Sequence, residues 1–197
     1  MSLRVTFVAA ARSAPLRAER FEDDRPLDRD GWGQVERAAP GLLPLAAAEL
    51  RYCSPAPRSR ATGTGLGYAP LVQLALRDCD MGRWRGLTLA EASAREPAAV
   101  AAWLADPLAA PHGGEPLYGF IGRVGGWLDT RPVEDGGAVV AVAEPSVIRA
   151  ALVYALNAPP AAYWRLDVRP LSAVGVVGRA GRWRLRFDGT PVQRSIP

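Results

Sequence analysis

Apolar and polar residues alternate from Leu3 and then give way to a continuous apolar run ending at Ala10, the pattern of a buried first strand. A polar loop is expected from Arg12 to Asp30. Gly31–Ala39 reads as a helix ended by Pro40 and Gly41. Leu50–Cys53 reads as a short strand. Arg58–Leu66 reads as a weak helix, because Gly63 and Gly65 each cost roughly 1 kcal/mol against Ala. Leu71–Leu76 suggests a third strand, and Thr88–Leu104 suggests helical turns interrupted at Pro97. A Pro/Gly loop follows, Pro107–Pro116. Leu117, Phe120, Ile121, Val124 and Leu128 then form one helical stripe. Gly137–Ala143 (GAVVAVA) is the clearest buried strand, and an Ala-rich helix is expected over Ser146–Leu156. Tyr163–Val168, Ser172–Val177 and Trp183–Phe187 read as strands.

Strands alternating with helices predict an α/β fold: three layers, α/β/α, around a mostly parallel central sheet. No linker, repeat or shift in composition divides the 197 residues, so a single domain over 1–197 is expected. The chain is 49% apolar and 22% charged, which excludes a disordered polymer. No apolar run is long enough for a membrane helix. The N-terminal MSLRVTFVAAAR lacks the apolar core and cleavage site of a secretion signal, so a cytoplasmic protein is expected.

Composition narrows the chemistry. There is one histidine, His112, which excludes any mechanism needing two. There is no lysine, so all 24 basic residues are arginine, and Schiff-base and P-loop lysine chemistry are excluded. The excess of Ala, Arg, Pro and Gly is that of GC-rich coding. A net charge of +4 with dispersed arginines is mild for a nucleic-acid binder. The densest group, GRWRLRF, reads as an edge strand with Trp183, Leu185 and Phe187 on its apolar face. Cys53 and Cys79 read as buried thiols rather than a disulfide. With one His, no metal site and no cofactor are expected. The expected partner is a small-molecule ligand, with no membrane, nucleic acid disfavoured and homodimerisation left open.

Five segments, in order, carry a resemblance. Arg20-Phe21 with Pro26-Leu27-x3-Gly31-x2-Gln34 is similar to "RF…PLT..G..QA". Ser54-Pro55-Ala56-Pro57-Arg58-Ser59-Arg60-Ala61-Thr62 is similar to "SSPL.RA..TA". Asp78-Cys79-Asp80-Met81-Gly82-Arg83-Trp84-Arg85-Gly86 is similar to "E.DFG.WEG", Gly113-Gly114-Glu115 to "GGES", and Val139–Arg149 to "VLVVTHGGVIR". In this order they resemble the histidine phosphatases, or phosphoglycerate mutase-like proteins, over about Val5–Val177. The resemblance implies that family's fold, with the ends of the strands at Ala9 and Ala143 side by side at the carboxyl edge of the sheet.

The departures matter more. Ala9, Ala10 and Ala11 stand where the resemblance places Arg-His-Gly, whose His is phosphorylated. Glu144 stands at the second histidine, followed by Pro145 and Ser146. His112 matches neither position and reads as a surface or loop residue. What the resemblance retains is Arg58 as a phosphate-binding arginine, Asp78 as the proton-donating carboxylate, and Glu115 in its Gly-Gly-Glu loop. Arg12 is a further candidate for the pocket, against its reading as a solvated loop residue.

Alanine cannot attack phosphorus, and loss of a covalent nucleophile costs on the order of 10⁶ in rate. Family-type phosphatase or mutase chemistry is therefore not expected. Two readings stay open. In the first, Glu144 and Asp78 are an acid/base pair acting on a small organic metabolite, with Arg58 as anion anchor and Arg12 and Glu115 as further substrate contacts. In the second the chain is a catalytically inactive binding or scaffolding protein, and Glu144 pairs structurally with Arg58.

Overall fold

The computed structural model describes residues 2–12, 20–21, 24–131 and 137–187. The loop expected over Arg12–Asp30 lies partly outside them. Six strands form one sheet: β1 (Leu3–Ala9), β2 (Leu50–Cys53), β3 (Leu71–Val72), β4 (Ala138–Ala143), β5 (Ala173–Arg179) and β6 (Arg182–Arg186). The order is β3-β2-β4-β1-β5-β6. β1, β2, β3 and β4 pair in parallel, and the β1–β5 and β5–β6 pairs are antiparallel. Only β5 therefore runs against the rest, which makes the sheet mixed but mostly parallel.

Alternation along β1 and β4 sends side chains to two cores. Val5, Phe7 and Ala9 join Val139, Ala141 and Ala143 on one face. There they meet α5 (Leu117–Asp129) and α6 (Pro145–Ala155) through Phe120, Val124, Ile148 and Ala151. Val8, Val140 and Val142 point the other way, against α1 (Arg29–Leu42) and α2 (Pro57–Gly65) through Val35 and Leu66. These are the three expected layers. α3 (Leu89–Arg95) and α4 (Pro97–Ala105) extend the first face. α3 begins in a reciprocal cap between Thr88 and Glu91, and Pro97 starts α4.

Several local expectations are corrected. α1 runs through Pro40, which removes only the donor to the Glu36 carbonyl; the chain then tightens into a 3-10 turn over Leu43–Ala47. The third strand stops at Val72, and Leu74–Leu76 is a 3-10 turn that buries Leu76. Tyr163–Val168 is not a strand. The Pro159-Pro160 pair seeds a 3-10 segment, Pro160–Arg165, that buries Tyr163. β6 is an edge strand with Trp183 inward, but Phe187 lies beyond it and is exposed. Cys53 and Cys79 are buried and form no disulfide.

Candidate active site

The carboxyl ends of β1, β2 and β4 meet where the sheet directs its ligand edge. Ala9 is in register with Ala143, and the Ala10 N–H donates to the Ala143 carbonyl at 2.9 Å. Ala10 and Glu144 thus lie at one end of the sheet. β2 ends at Cys53, and Ser54 follows, its N–H donating to the Val142 carbonyl at 2.8 Å. α2 and α6 both begin here with a proline in the first turn and no side-chain cap. Their uncapped N-termini favour negative charge nearby.

A cavity of about 350 Å³ opens over this edge. Ala10, Ala11, Arg12, Arg58, Asp78, Glu144 and Arg149 line its floor and flank. Ala10 and Ala11 are buried, and the Ala11 N–H donates to Thr62 Oγ1 at 3.0 Å. A second hollow of about 200 Å³ shares Arg58, Asp78 and Glu144 and adds Asp24, Ser54 and Arg77. The two carboxyls therefore stand between the two spaces.

Glu144 is 3% exposed. Ser59 Oγ donates to its Oε1 at 2.7 Å, while Oε2 is buried with no hydrogen-bond partner among the described residues. Burial, and then the charge of Asp78, push its pKa above the usual value; the hydroxyls of Ser54 and Ser59 oppose this. The ion pair with Arg58 expected under a structural reading is not formed: Glu144 is held by a serine. Asp78 accepts from Ser146 Oγ at 2.6 Å and from the Cys79 N–H at 2.8 Å. Burial raises its pKa as well, against those two bonds and the charges of Arg58 and Arg123.

Glu115, expected to contact substrate, is outside the lining of the described cavity. Its carboxylate pairs with Arg123 at 2.6 Å, and the two side chains are 14% and 17% exposed. Arg123 also donates to the carbonyls of Ala75, Arg77 and Asp78. Glu115 thus holds the cation that fixes the Asp78 segment. Its loop needs glycine for a steric reason: a Cβ on Gly114 would meet the Asp80 carbonyl oxygen at 2.1 Å. His112 is no surface residue. It is 1% exposed, lies tilted against the Trp84 ring with centroids 5.1 Å apart, and accepts from the Gly114 N–H through Nδ1 at 3.0 Å. It does not line the cavity.

Arg149 is a site member that the sequence pattern does not single out. It projects from α6 beside the Tyr163 ring, 5.9 Å from its centroid. The Nε–H groups of Arg58 and Arg149 are both buried without a partner among the described residues. An aromatic wall of Phe21, Trp103, Tyr163 and Trp164 is equally unforeseen. Among the described residues, no group of three or more His, Cys, Asp or Glu side chains could hold a metal. No helix there is long and apolar enough to cross a membrane.

The sequence pattern of the histidine phosphatase superfamily (branch 1) matches residues 17–188. The chain belongs to that superfamily. A bifunctional protein of Mycobacterium tuberculosis is 32% identical over 147 residues, covering 72% of this chain but only 40% of that protein. A glucosyl-3-phosphoglycerate phosphatase of the same organism is 38% identical over 139 residues, covering 66% of this chain and 58% of that protein. Among solved structures, a mycobacterial hydrolase superposes with a TM-score of 0.78 at 26% identity, covering 94% of this chain and 90% of that one. The mycobacterial glucosyl-3-phosphoglycerate phosphatase with VO3 gives 0.76 at 29% identity, covering 93% and 96%. Within this superfamily fold, the described cavity presents two carboxyls and no histidine.

Proposed function

We propose that this histidine-phosphatase-fold chain does not use phosphohistidine chemistry and is an acid/base enzyme acting on a small organic anion. The observation that carries the reading is Glu144: a buried carboxyl at the cavity floor, after β4, with one oxygen held by Ser59 and the other unpartnered among the described residues. No histidine is in the described lining: Ala10 and Ala11 occupy the end of β1, and His112 is packed elsewhere.

The roles of the two carboxyls follow from their neighbours. Asp78 accepts two hydrogen bonds and feels Arg58 and Arg123, all of which favour its ionised form. Glu144 is pushed up by burial and further by the Asp78 charge. Coupled groups share their protons unequally. The reading makes Asp78 the base, for its two hydrogen bonds and two nearby cations, and Glu144 the acid, while burial raises the pKa of both. Asp78 takes a proton from the bound molecule and Glu144 returns one at a second atom in an isomerisation; after product leaves, Asp78 gives its proton to solvent and Glu144 takes one back, which restores the starting state. The same pair serves a dehydration, a cyclisation or a hydrolysis, with water supplied or released. Arg58 anchors the anion through its unpartnered Nε–H, with Arg12 on the flank.

A direct test is rapid acid- and base-quench mass spectrometry of the protein during incubation with p-nitrophenyl phosphate and 3-phosphoglycerate. The expected result is no phosphoenzyme and no phosphate release above a heat-treated control. A phosphorylated peptide, or release that persists through repurification and disappears in Arg58→Ala, overturns the proposal. The other reading, an inactive binding protein, has Ala9–Ala11 in its favour. It predicts that a ligand is held and never converted.

A further inference from the structure

The two ends of the cavity differ in kind. Its floor carries Arg58 and Arg149 with the two carboxyls, and Arg12, Arg20 and Arg25 also line the cavity. Its wall is aromatic: Trp103 stands edge-on to Phe21 at 5.7 Å and 83°, and to Trp164 at 4.8 Å and 74°. Trp164 in turn meets Tyr163 edge-on at 4.9 Å and 87°. Leu89 and Leu104 continue this surface, 44% and 42% exposed. Phe21, Leu89, Leu104, Leu117 and Phe120 offer no side-chain atom that can hydrogen-bond a polyol. A sugar or glycerate laid against these five would lose the water on its hydroxyls without replacement, and the wall's own polar atoms are confined to the rings of Trp103, Tyr163 and Trp164 and to Arg20 and Arg25 at its edge. A flat apolar ring system loses nothing there and gains ring contacts with preferred geometry.

Charge selects the other end of the ligand. Arg58 and Arg149 each hold a buried Nε–H with no partner among the described residues. A carboxylate accepts from both arginines with a single negative charge. A phosphate dianion brings a second negative charge beside Asp78, the carboxyl that the proposed mechanism keeps ionised. The space also fits: about 350 Å³ is near the lower end of ligand pockets, which run from about 300 to 1,000 Å³.

We infer that the cavity takes a planar, apolar-bodied carboxylate, its carboxylate on Arg58 and Arg149 and its ring system against Trp103, Trp164 and Phe21. This rests on the acid/base reading of the same site and names its substrate class.

Isothermal titration calorimetry with 2-naphthoate tests it, with inorganic phosphate and 3-phosphoglycerate as polar comparators. 2-Naphthoate is expected to bind at least about tenfold more tightly than either, a difference of about 1.4 kcal/mol. Trp164→Ala, at a position 38% exposed, is expected to weaken 2-naphthoate about tenfold in a variant that keeps its fold by circular dichroism. Arg149→Gln is expected to weaken it similarly. Equal or tighter binding of phosphate, or wild-type affinity in Trp164→Ala, overturns the inference. Binding is read without turnover, so the two readings fail separately. Tight 2-naphthoate binding by a protein that converts nothing ends the acid/base proposal and leaves this one standing. Conversion of a polyol acid without 2-naphthoate binding does the reverse.

Discussion

Replacing Glu144 by glutamine removes one charge and one ionisable proton from the floor of the cavity while keeping its shape. The glutamine side chain keeps an Oε1 that accepts from Ser59 Oγ, the bond that measures 2.7 Å in the wild type. The Oε2 position has no partner to lose among the described residues. The glutamate is raised above its ordinary value of 4.5 by burial and by Asp78, so the folded state binds its proton more tightly than the unfolded state does. A proton bound more tightly in the folded state makes stability fall as pH rises. The contribution of Glu144 is thus fully present below 4.5 and is lost as pH climbs through its raised folded value. Each unit of elevation costs about 1.4 kcal/mol once the group is ionised, and each kcal/mol shifts melting by about 2–4 °C in a chain of this size. Differential scanning fluorimetry of wild type and Glu144→Gln across about pH 4.5–8.5, a range that starts at the ordinary value and climbs from it, reads the difference directly. The variant is expected to gain on the wild type steadily with pH and to be the more stable protein at the alkaline end. Parallel curves would refute the argument, because they would mean that Glu144 is solvated or neutralised by a partner. A variant less stable at every pH would mean that the carboxylate is a structural partner after all.

Two further outcomes are expected. Glu115→Ala leaves Arg123 partly buried without its counter-charge, so a loss of roughly 3 kcal/mol in chemical denaturation is expected; because Arg123 also holds the Asp78 carbonyl, 2-naphthoate binding should weaken in the folded variant. Gly114→Ala drives a methyl group into the Asp80 carbonyl oxygen and should cost about 1–3 kcal/mol, read as a lower denaturation midpoint, whereas Gly122→Ala, where a Cβ meets nothing within 4 Å, should be neutral or stabilising.

The elements legible in the sequence are those whose pattern lies within one segment. β1 and β4 are apolar on both faces because both cores use them, and the α5 stripe is apolar at helical spacing. The meeting of Ala10 and Glu144 is what the resemblance to the histidine phosphatases implies, and the register of β1 with β4 agrees with it. What stays hidden depends on contacts between distant segments. Arg149 stands three residues beyond Ser146, on the same side of α6, but only the fold of Pro160–Arg165 shows that this side is the cavity. The aromatic wall draws on Phe21, Trp103, Tyr163 and Trp164, which no local pattern connects. The adjacent Tyr163-Trp164 pair after two prolines is the available signal, and an alternation of apolar and polar residues that reads as a strand masks it. Glu115 reads as a ligand contact in the sequence because its partner Arg123 lies eight residues on, in the middle of α5. His112 reads as a loop residue because its loop is polar and Gly-rich; its burial comes from Trp84 and Trp103.

The central claim is that proton transfer through Glu144 has replaced phosphoryl transfer in this fold. The most direct measurement is mass spectrometry of a small-molecule cell extract incubated with wild type and with Glu144→Gln, with inorganic phosphate followed in the same samples. The account predicts that at least one organic acid is converted by the wild type, that its conversion slows about 10²- to 10⁴-fold in Glu144→Gln, and that no phosphate appears. Phosphate release from a phosphomonoester that proceeds equally in both proteins would contradict it.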